Sequence, residues 1–293
     1  MKEWLTRIVV GLAVAVVIVI AATWVAGGDL TDPANRDITR PPGDLEASNV
    51  TFASSSGALI HAWLSHGQPG QGVILLLHGV RGDRRDMAAR AEFLHSKGYT
   101  VLLPDFQAHG ESRGRRITYG DLESRDVTAA LQYLRHKLPD ERVGVIGATL
   151  GADAFVLAEQ RPAVAAVVLE QMYPTIQQAV ANRARLHLGA LGTVLAPLLM
   201  VQMQSHLDIP ENRLRPIDRL AKLTVPVMIL NGTDDVYSST SDAQKLFAVA
   251  PNPKQLWLVQ GAGHVDLYSY AKSEYEKRVG DFLATYVRSG LSP

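Results

Sequence analysis

The chain has 293 residues, in which 29 lysines and arginines balance 29 aspartates and glutamates, and it contains no cysteine. This length suffices for one large α/β domain or two small ones, with a sizeable buried core. The balanced charge gives no indication of nucleic-acid binding, and the absence of cysteine excludes disulfides, thiolate catalysis and cysteine-ligated metal. The histidines show no HExxH pattern or other metal-ligand spacing, so we expect no metal and no cofactor.

An uncharged apolar run occupies residues 8–26, with Thr23 as its one hydroxyl. A helix of this length would measure about 28 Å, close to the ~30 Å hydrocarbon core of a bilayer. Basic residues precede the run and aspartates follow it, which predicts a single-pass helix with a cytoplasmic N-terminus and an exported domain, periplasmic or extracellular. A cleaved signal peptide is the alternative, but the run is longer than the apolar core of such peptides, which favours a retained anchor at residues 1–27.

Residues 28–47 are rich in glycine, proline and aspartate and lack apolar periodicity, which predicts a linker. Strand and helix patterns alternate in the domain expected at residues 48–293. We expect a β-hairpin first, followed by buried strands separated by helices. The predicted strands are at 50–53, 59–64, 73–77, 99–103, 164–169, 225–230 and 255–259, with one more directly before the turn at 147. The predicted helices are at 87–97, 119–137 and 268–286. Such alternation predicts a mainly parallel sheet with helices on both faces.

One crossover is oversized, because about 55 residues separate the strand ending near Glu170 from the strand that begins at Pro226. Residues 188–203 within it are strongly apolar and include Pro197. We predict a helical cap at about residues 172–216, over the carboxyl ends of the strands, where open α/β sheets bind ligands. Simple packing of these residues on the domain is the alternative. A second membrane span is disfavoured, because the run is short and contains glycines and a proline.

A Gly-x-Thr-x-Gly turn at residues 147–151 joins a short buried strand directly to a helix. This is the layout of a nucleophile elbow, which lifts one hydroxyl above the sheet, and its glycines avoid a clash where the backbone folds back. The hydroxyl belongs to Thr149, where serine is usual. After an earlier buried strand, Gly79 lets the chain turn its next amide toward the site. The amides of Val80 and Leu150 are therefore the predicted oxyanion hole.

A carboxylate and an imidazole follow later strands. Asp235 is placed to hold an imidazole in the correct tautomer, whereas Asp234 fits a turn better. His264 follows the last strand in a glycine-containing loop, as a general base requires. Glu170 also ends a strand and is the alternative acid. His109 is a weaker candidate base, because no acid follows it on a later strand end.

Five motifs stand in order along the chain, namely His78-Gly79, Asp105 with His109 to Ser112, Gly147 to Gly151, Gly232 to Asp235, and Gly261 to His264. With them, the chain from about residue 48 resembles the α/β-hydrolase superfamily. Within it, the chain is similar to bacterial hydrolases of the serine aminopeptidase-like (S33-type) and acyl-hydrolase group. The resemblance implies the α/β-hydrolase fold, with Thr149 as nucleophile, His264 as base and Asp235 as orienting acid. His78 is expected to order the oxyanion loop rather than act as a base.

The departure from the family pattern is Thr149, whose β-methyl fixes χ1 and crowds a strained turn. If that methyl lies where the scissile carbonyl must approach, misplacement costs ~100-fold or more in rate. The other predicted groups are retained, which favours a membrane-anchored hydrolase of carboxylic esters, with amides and thioesters as further candidates, acting on a small apolar acyl substrate. The alternative is a non-catalytic binding protein that keeps the pocket and has lost the nucleophile.

Overall fold

The computed structural model describes residues 2–38, 40–41 and 45–288. Its strands, in chain order, are β1 (Ala34–Asn35), β2 (Ser48–Ala53), β3 (Leu59–Ser65), β4 (Val73–Leu77), β5 (Thr100–Pro104), β6 (His109–Gly110), β7 (Val143–Ala148), β8 (Ala166–Glu170), β9 (Val227–Gly232) and β10 (Lys254–Val259). Eight of them form one sheet in the order β10-β9-β8-β7-β4-β5-β3-β2. The pairs β2–β3 and β3–β5 are antiparallel and the other pairs of this sheet are parallel.

The helices are α1 (Lys2–Thr31), α2 (Ala88–Ser96), α3 (Glu123–Lys137), α4 (Leu150–Leu157), α5 (Ile176–Leu207), α6 (Pro216–Leu220), α7 (Thr240–Val249), α8 (Leu267–Tyr270) and α9 (Lys272–Val287). Short 3₁₀ turns lie at Arg84–Met87 and Glu211–Arg213. Residues of α3 and α4 belong to one apolar core, and residues of α2 and α9 belong to a second core. The sheet lies between the two cores, so the predicted α/β fold with helices on both faces is confirmed.

Strand β4 is apolar at every position because both faces of the sheet are covered there. Val73, Leu75 and Leu77 belong to the core that contains α3 and α4, whereas Ile74 and Leu76 belong to the core that contains α2 and α9. Successive side chains of a strand point to opposite faces of the sheet. A central strand that is covered on both faces must therefore be apolar at every position.

Two predicted helix boundaries differ from the structure. The helix expected at 119–137 begins at Glu123, because Tyr119 and Gly120 have φ of 52° and 111°, which no α-helix accommodates. The closing helix is divided in two at Ala271, whose backbone is not helical, with φ −128° and ψ 45°.

The segment predicted as a linker contacts the domain. Residues 39 and 42–44 lie outside the described residues, as do the last residues of the predicted domain, 289–293. Helix α1 continues to Thr31, and carbonyl groups of its last turn accept hydrogen bonds from the domain, as the unsatisfied end of a helix requires. The donors are Arg81 Nη1 to Asp29 (3.0 Å), Tyr119 Oη to Leu30 (2.8 Å) and the Ile117 amide to Thr31 (2.8 Å). Strand β1 then pairs with β6.

The cap segment contains α5, which folds back on itself at Gly189 (φ 58°, ψ −135°). A Cβ on Gly192 would lie 2.0 Å from the carbonyl oxygen of Ala184, eight residues earlier. In a straight helix these residues would be ~12 Å apart along the axis. Helix α5 is therefore a hairpin of two arms, 176–188 and 190–207.

In the described part of the chain, one helix is long and apolar enough to cross a membrane by length and composition, and it is Ile176–Leu207. Because the chain reverses at Gly189, the first arm is too short for a span, whereas the second arm, 190–207, falls at the lower end of the ~17–25 residues that a span needs. The membrane span predicted at residues 8–26 lies within α1 and stays a prediction.

We expect Gly192→Ala to loosen the hairpin. Its Cβ would meet backbone atoms at 2.0 Å and 2.8 Å, so the two arms must separate. Trypsin should then cleave after Arg183 and Arg185 faster than in the wild type, because cleavage follows local opening. Gly11→Ala in α1 is the matched control, since nothing lies within 4 Å of its Cβ. Equal cleavage rates in both variants and the wild type would contradict the packed hairpin.

Candidate active site

The turn between β7 and α4 is built by two glycines that allow backbones to touch. A Cβ on Gly147 would lie 2.6 Å from the amide nitrogen of Ala152, and a Cβ on Gly151 would lie 2.4 Å from the carbonyl oxygen of Leu77 in β4. Real Cβ atoms do not approach backbone so closely, which confirms the steric reason predicted for these glycines. Thr149 stands between them at φ 45° and ψ −108°.

Thr149 is a β-branched residue at positive φ, which is a genuine backbone outlier. Its amide donates to the Glu170 carbonyl at 2.8 Å, and its own carbonyl accepts from the Asp153 amide at 3.1 Å, so the conformation is held from both sides. The hydroxyl faces Gly79, because a Cβ there would lie 2.6 Å from Thr149 Oγ1. Gly79 is thus required by the Thr149 hydroxyl itself, a reason that the sequence did not reveal.

His264 and Asp235 are in direct contact across the ends of β9 and β10. His264 Nδ1 lies 2.8 Å from Asp235 Oδ2. The other carboxylate oxygen of this buried aspartate accepts from the amides of Tyr237 and Ser238, both at 2.9 Å. An imidazole that donates from Nδ1 presents Nε2 as an acceptor. Asp234 instead accepts from the exposed hydroxyl of Thr233 at 3.0 Å.

One cavity of about 80 Å³ brings the predicted site residues together. Its polar lining comes from Tyr119, Thr149, Gln171, Tyr173, Arg183, Tyr237, Ser238 and His264. Its apolar lining comes from Leu30, Val80, Leu150, Ile176, Ala179, Val180 and Met203. The cavity therefore lies between the carboxyl ends of the strands, the first arm of α5, the end of its second arm and the last turn of α1.

A sequence model of the family described as "Alpha/beta hydrolase family" matches residues 74–277, a range that includes Thr149, Asp235 and His264. The chain belongs to the alpha/beta hydrolase family. Among its relatives, the uncharacterized protein Rv2307c of Mycobacterium tuberculosis is 30% identical over 224 residues, which cover 74% of this chain and 72% of that protein. The uncharacterized protein YfhR of Salmonella typhimurium is 24% identical over 260 residues, which cover 86% of this chain and 85% of that protein.

Solved structures share the fold of this alpha/beta hydrolase. The esterase Pf2001 of Pyrococcus furiosus superposes with a TM-score of 0.73 at 24% identity, over 88% of this chain and 98% of that chain. The esterase RhEst1 of a Rhodococcus species superposes with a TM-score of 0.60 at 18% identity, over 82% of this chain and 99% of that chain.

Gln171 is a site residue that the sequence analysis missed. Its side-chain amide donates to Asp235 Oδ2 at 2.9 Å and to the Gly263 carbonyl at 3.1 Å. It therefore joins the loop that carries the acid to the loop that carries His264. Like Thr149, Gln171 has a positive φ, here 50°, directly after a strand. Its polar side chain directly after β8 is a signal that the sequence carries, as Thr149 carries it after β7.

Glu170, the alternative acid, faces the other side of the sheet. Arg90 Nη2 lies 2.7 Å from Glu170 Oε2, and the Tyr275 hydroxyl donates to Glu170 Oε1. Burial raises the pKa of Tyr275, so its hydroxyl keeps the proton that it donates. Arg90 Nη1 also lies 2.5 Å from Asp266, two residues beyond His264. The carboxylate of Glu170 is thus held by a buried ion pair and does not contact the imidazole.

Hydrogen bonds of His78 and His109 join the loop after β4, which contains Val80, to the loop after β5. The Phe106 amide donates to His78 Nε2 at 3.1 Å, and His78 Nδ1 lies 2.8 Å from the Gly79 carbonyl. Conversely, the Arg81 amide donates to His109 Nε2 at 3.1 Å. Both rings must therefore be neutral and carry their proton on Nδ1, as assigned from these partners. This agrees with the ordering role expected for His78, and it gives His109 the same role.

We expect both imidazoles to stay neutral well below neutral pH, because burial lowers the pKa of His78 and of His109 to about 4. Nitrogen-15 NMR at pH 5.5 should show both in the Nδ1–H tautomer, with assignment by His109→Gln. The unfolded chain takes up these protons near pH ~6.5. The stabilising contribution of the pair is therefore present above that pH and is lost as the pH falls through the folded pKa. Titration of both rings near pH ~6.5 in the folded protein would contradict these buried, neutral hydrogen-bonded rings.

Proposed function

We propose that this chain is a membrane-anchored hydrolase that cleaves carboxylic esters by acyl transfer. Thr149 is the nucleophile, His264 the general base and Asp235 the acid that orients the base. The observation that carries the proposal is the strained turn at Thr149, whose hydroxyl lines the same cavity as an imidazole already paired with a buried carboxylate. Strain of this kind is kept in proteins where a site requires it.

In the proposed reaction, His264 Nε2 takes the proton of the Thr149 hydroxyl as the oxygen attacks the ester carbonyl. The carbonyl oxygen becomes an oxyanion, and the amides of Val80 and Leu150 donate to it. Leu150 is the first residue of α4, so its amide has no partner within the helix and the helix dipole favours the negative charge. His264 then returns the proton to the leaving alcohol, and an acyl-enzyme remains on Thr149.

Water completes the turnover. It gives a proton to His264 and attacks the acyl carbonyl, and collapse of the second oxyanion releases the acid and restores the Thr149 hydroxyl. Asp235 stabilises the imidazolium that forms twice per cycle. Its four hydrogen-bond partners suit this role, because they hold the carboxylate in place while Oδ2 faces His264.

Three further observations support an ester as the substrate. The motifs resemble those of the serine aminopeptidase-like and acyl-hydrolase group, whose shared chemistry is acyl transfer to a hydroxyl. The apolar residues that line the cavity suit an acyl group better than a charged peptide. The solved structures of similar fold include proteins named as esterases.

The contribution of the Thr149 methyl can be measured directly. If the methyl slows attack, Thr149→Ser should raise kcat/KM on small activated esters by an order of magnitude or more, which is ~1.4 kcal/mol of transition-state stabilisation. If the pocket has adapted to threonine, Thr149→Ser should gain little. In both cases Thr149→Ala should leave only the residual catalysis of the oxyanion hole.

Thr149→Val is the matched control, because it keeps the branched shape and removes the hydroxyl. Equal background rates in the wild type and all three variants, across several ester chain lengths, would rule out Thr149 as a nucleophile. Tight binding of a small acyl ligand without turnover would then assign the cavity to a binding protein.

The anchor rests on the uncharged run within α1, with basic residues before it and aspartates after it. A reporter that is active only outside the cytoplasm, fused after residue 45, should give signal, and the protein should stay in the membrane fraction. The same reporter fused before residue 8 should be silent. Recovery of a soluble, N-terminally trimmed protein would instead identify a signal peptide.

A further inference from the structure

Helix α1 and the second arm of α5 leave apolar side chains exposed along their length. On α5 these are Leu191, Val194 and Val201, and on α1 they include Ile8, Val14, Ile18 and Val25. Most of the exposed large apolar side chains in the described chain lie on these two helices. Soluble monomers rarely expose an apolar surface of this extent.

The two helices pack side by side in the same direction. Gln202 Nε2 donates to the Ile20 carbonyl at 3.0 Å, and four residues further along both helices His206 Nε2 lies 3.0 Å from the Trp24 carbonyl. The His206 ring also contacts the Trp24 ring in a tilted arrangement, with centroids 4.1 Å apart. The shared advance of four residues shows that the helices are parallel, so their apolar stretches lie beside each other.

Several polar side chains of this helix pair bond to helix backbone. Besides Gln202 and His206, the buried hydroxyl of Thr23 donates to the Val19 carbonyl in its own helix at 2.7 Å. No charged residue occurs from residue 188 to residue 205. Polar side chains that bond to helix backbone, with apolar side chains outward, suit a solvent that offers no hydrogen bonds.

The same two helices end at the catalytic cavity. Leu30 in the last turn of α1 and Met203 near the end of α5 line it together with Thr149 and His264. The cavity holds about 80 Å³, far below the ~300 Å³ of a small ligand site, so only the reacting end of a long substrate fits inside. The rest of such a substrate must extend past these helix ends.

We propose that the exposed face of α1 and the second arm of α5 lies in bilayer hydrocarbon, and that the substrate is an amphiphile of that bilayer whose long acyl chain reaches Thr149 past Leu30 and Met203. The substrate part rests on the proposed function, since it requires Thr149 to act as the nucleophile. The bilayer is the occupant of this face because the face is continuous with the apolar run of α1.

Because the chain contains no cysteine, single cysteines give unique labelling sites in the full-length protein. Val194→Cys lies on the proposed face, where Val194 is 73% exposed, and Leu59→Cys is the matched control, because Leu59 is 54% exposed at the start of β3. Each is labelled with the dye NBD in phosphatidylcholine vesicles. At position 194, brominated acyl chains should quench the dye and aqueous iodide should not, with the reverse at position 59.

Iodide quenching at position 194 as strong as at position 59 would overturn the bilayer contact. Protection of position 194 from both quenchers would overturn it too, because the face would then be covered by protein such as a second copy of this chain.

The substrate class is tested with two esters, p-nitrophenyl palmitate in the same vesicles and p-nitrophenyl acetate in water. Val194→Asp should lower hydrolysis of the palmitate 10-fold or more and leave the acetate within 2-fold, at equal protein in the vesicle fraction. Leu59→Asp should change neither. A loss on both esters, or on neither, would overturn delivery from the bilayer. If the wild type cleaves neither ester, the proposed function and its substrate fail, while the quenching result still decides the surface.

Discussion

Three backbone segments meet at the elbow around Thr149. Their contact sets where the other groups of the site lie. Gly147 and Gly151 bring the end of β7, the start of α4 and the end of β4 within van der Waals contact. Between them Thr149 holds a backbone conformation that costs a branched residue of order 1–3 kcal/mol. The strand pairing on both sides of β7 offsets this cost. The backbone of Thr149 is therefore held in place relative to β4 by the same contacts.

The partners of each polar group at the site separate the groups with a structural role from those with a role in the proposed reaction. Glu170 and Asp235 both follow neighbouring parallel strands, yet Arg90 neutralises the first, whereas backbone amides hold the second and leave one oxygen to an imidazole. The same distinction applies to the histidines. The ring nitrogens of His78 and His109 are occupied by backbone partners, whereas His264 lines the cavity and is the base in the proposed mechanism.

The sequence predicted those parts of the fold and site that depend on local pattern. Strand runs, the glycines of the elbow and polar residues at strand ends are encoded within a few positions, so β4, β7 and the residues around Thr149 were predicted. The ion pair of Arg90 and Glu170 joins residues 80 positions apart, and no local pattern signals it. The reversal at Gly189 was missed because both arms of α5 carry an apolar stripe, and periodicity does not report the direction of the chain.

Gln171 occupies a position whose consequence extends beyond the acid that it holds. It is the residue from which the chain leaves β8 toward the cap, and its amide binds both Asp235 and the loop of His264. A displacement of the cap at its base therefore pulls on the acid and on the base together. Asn182 of the hairpin also donates to the Tyr237 carbonyl, and Tyr237 in turn donates its amide to Asp235, so the hairpin is linked to the Asp235–His264 pair at two points.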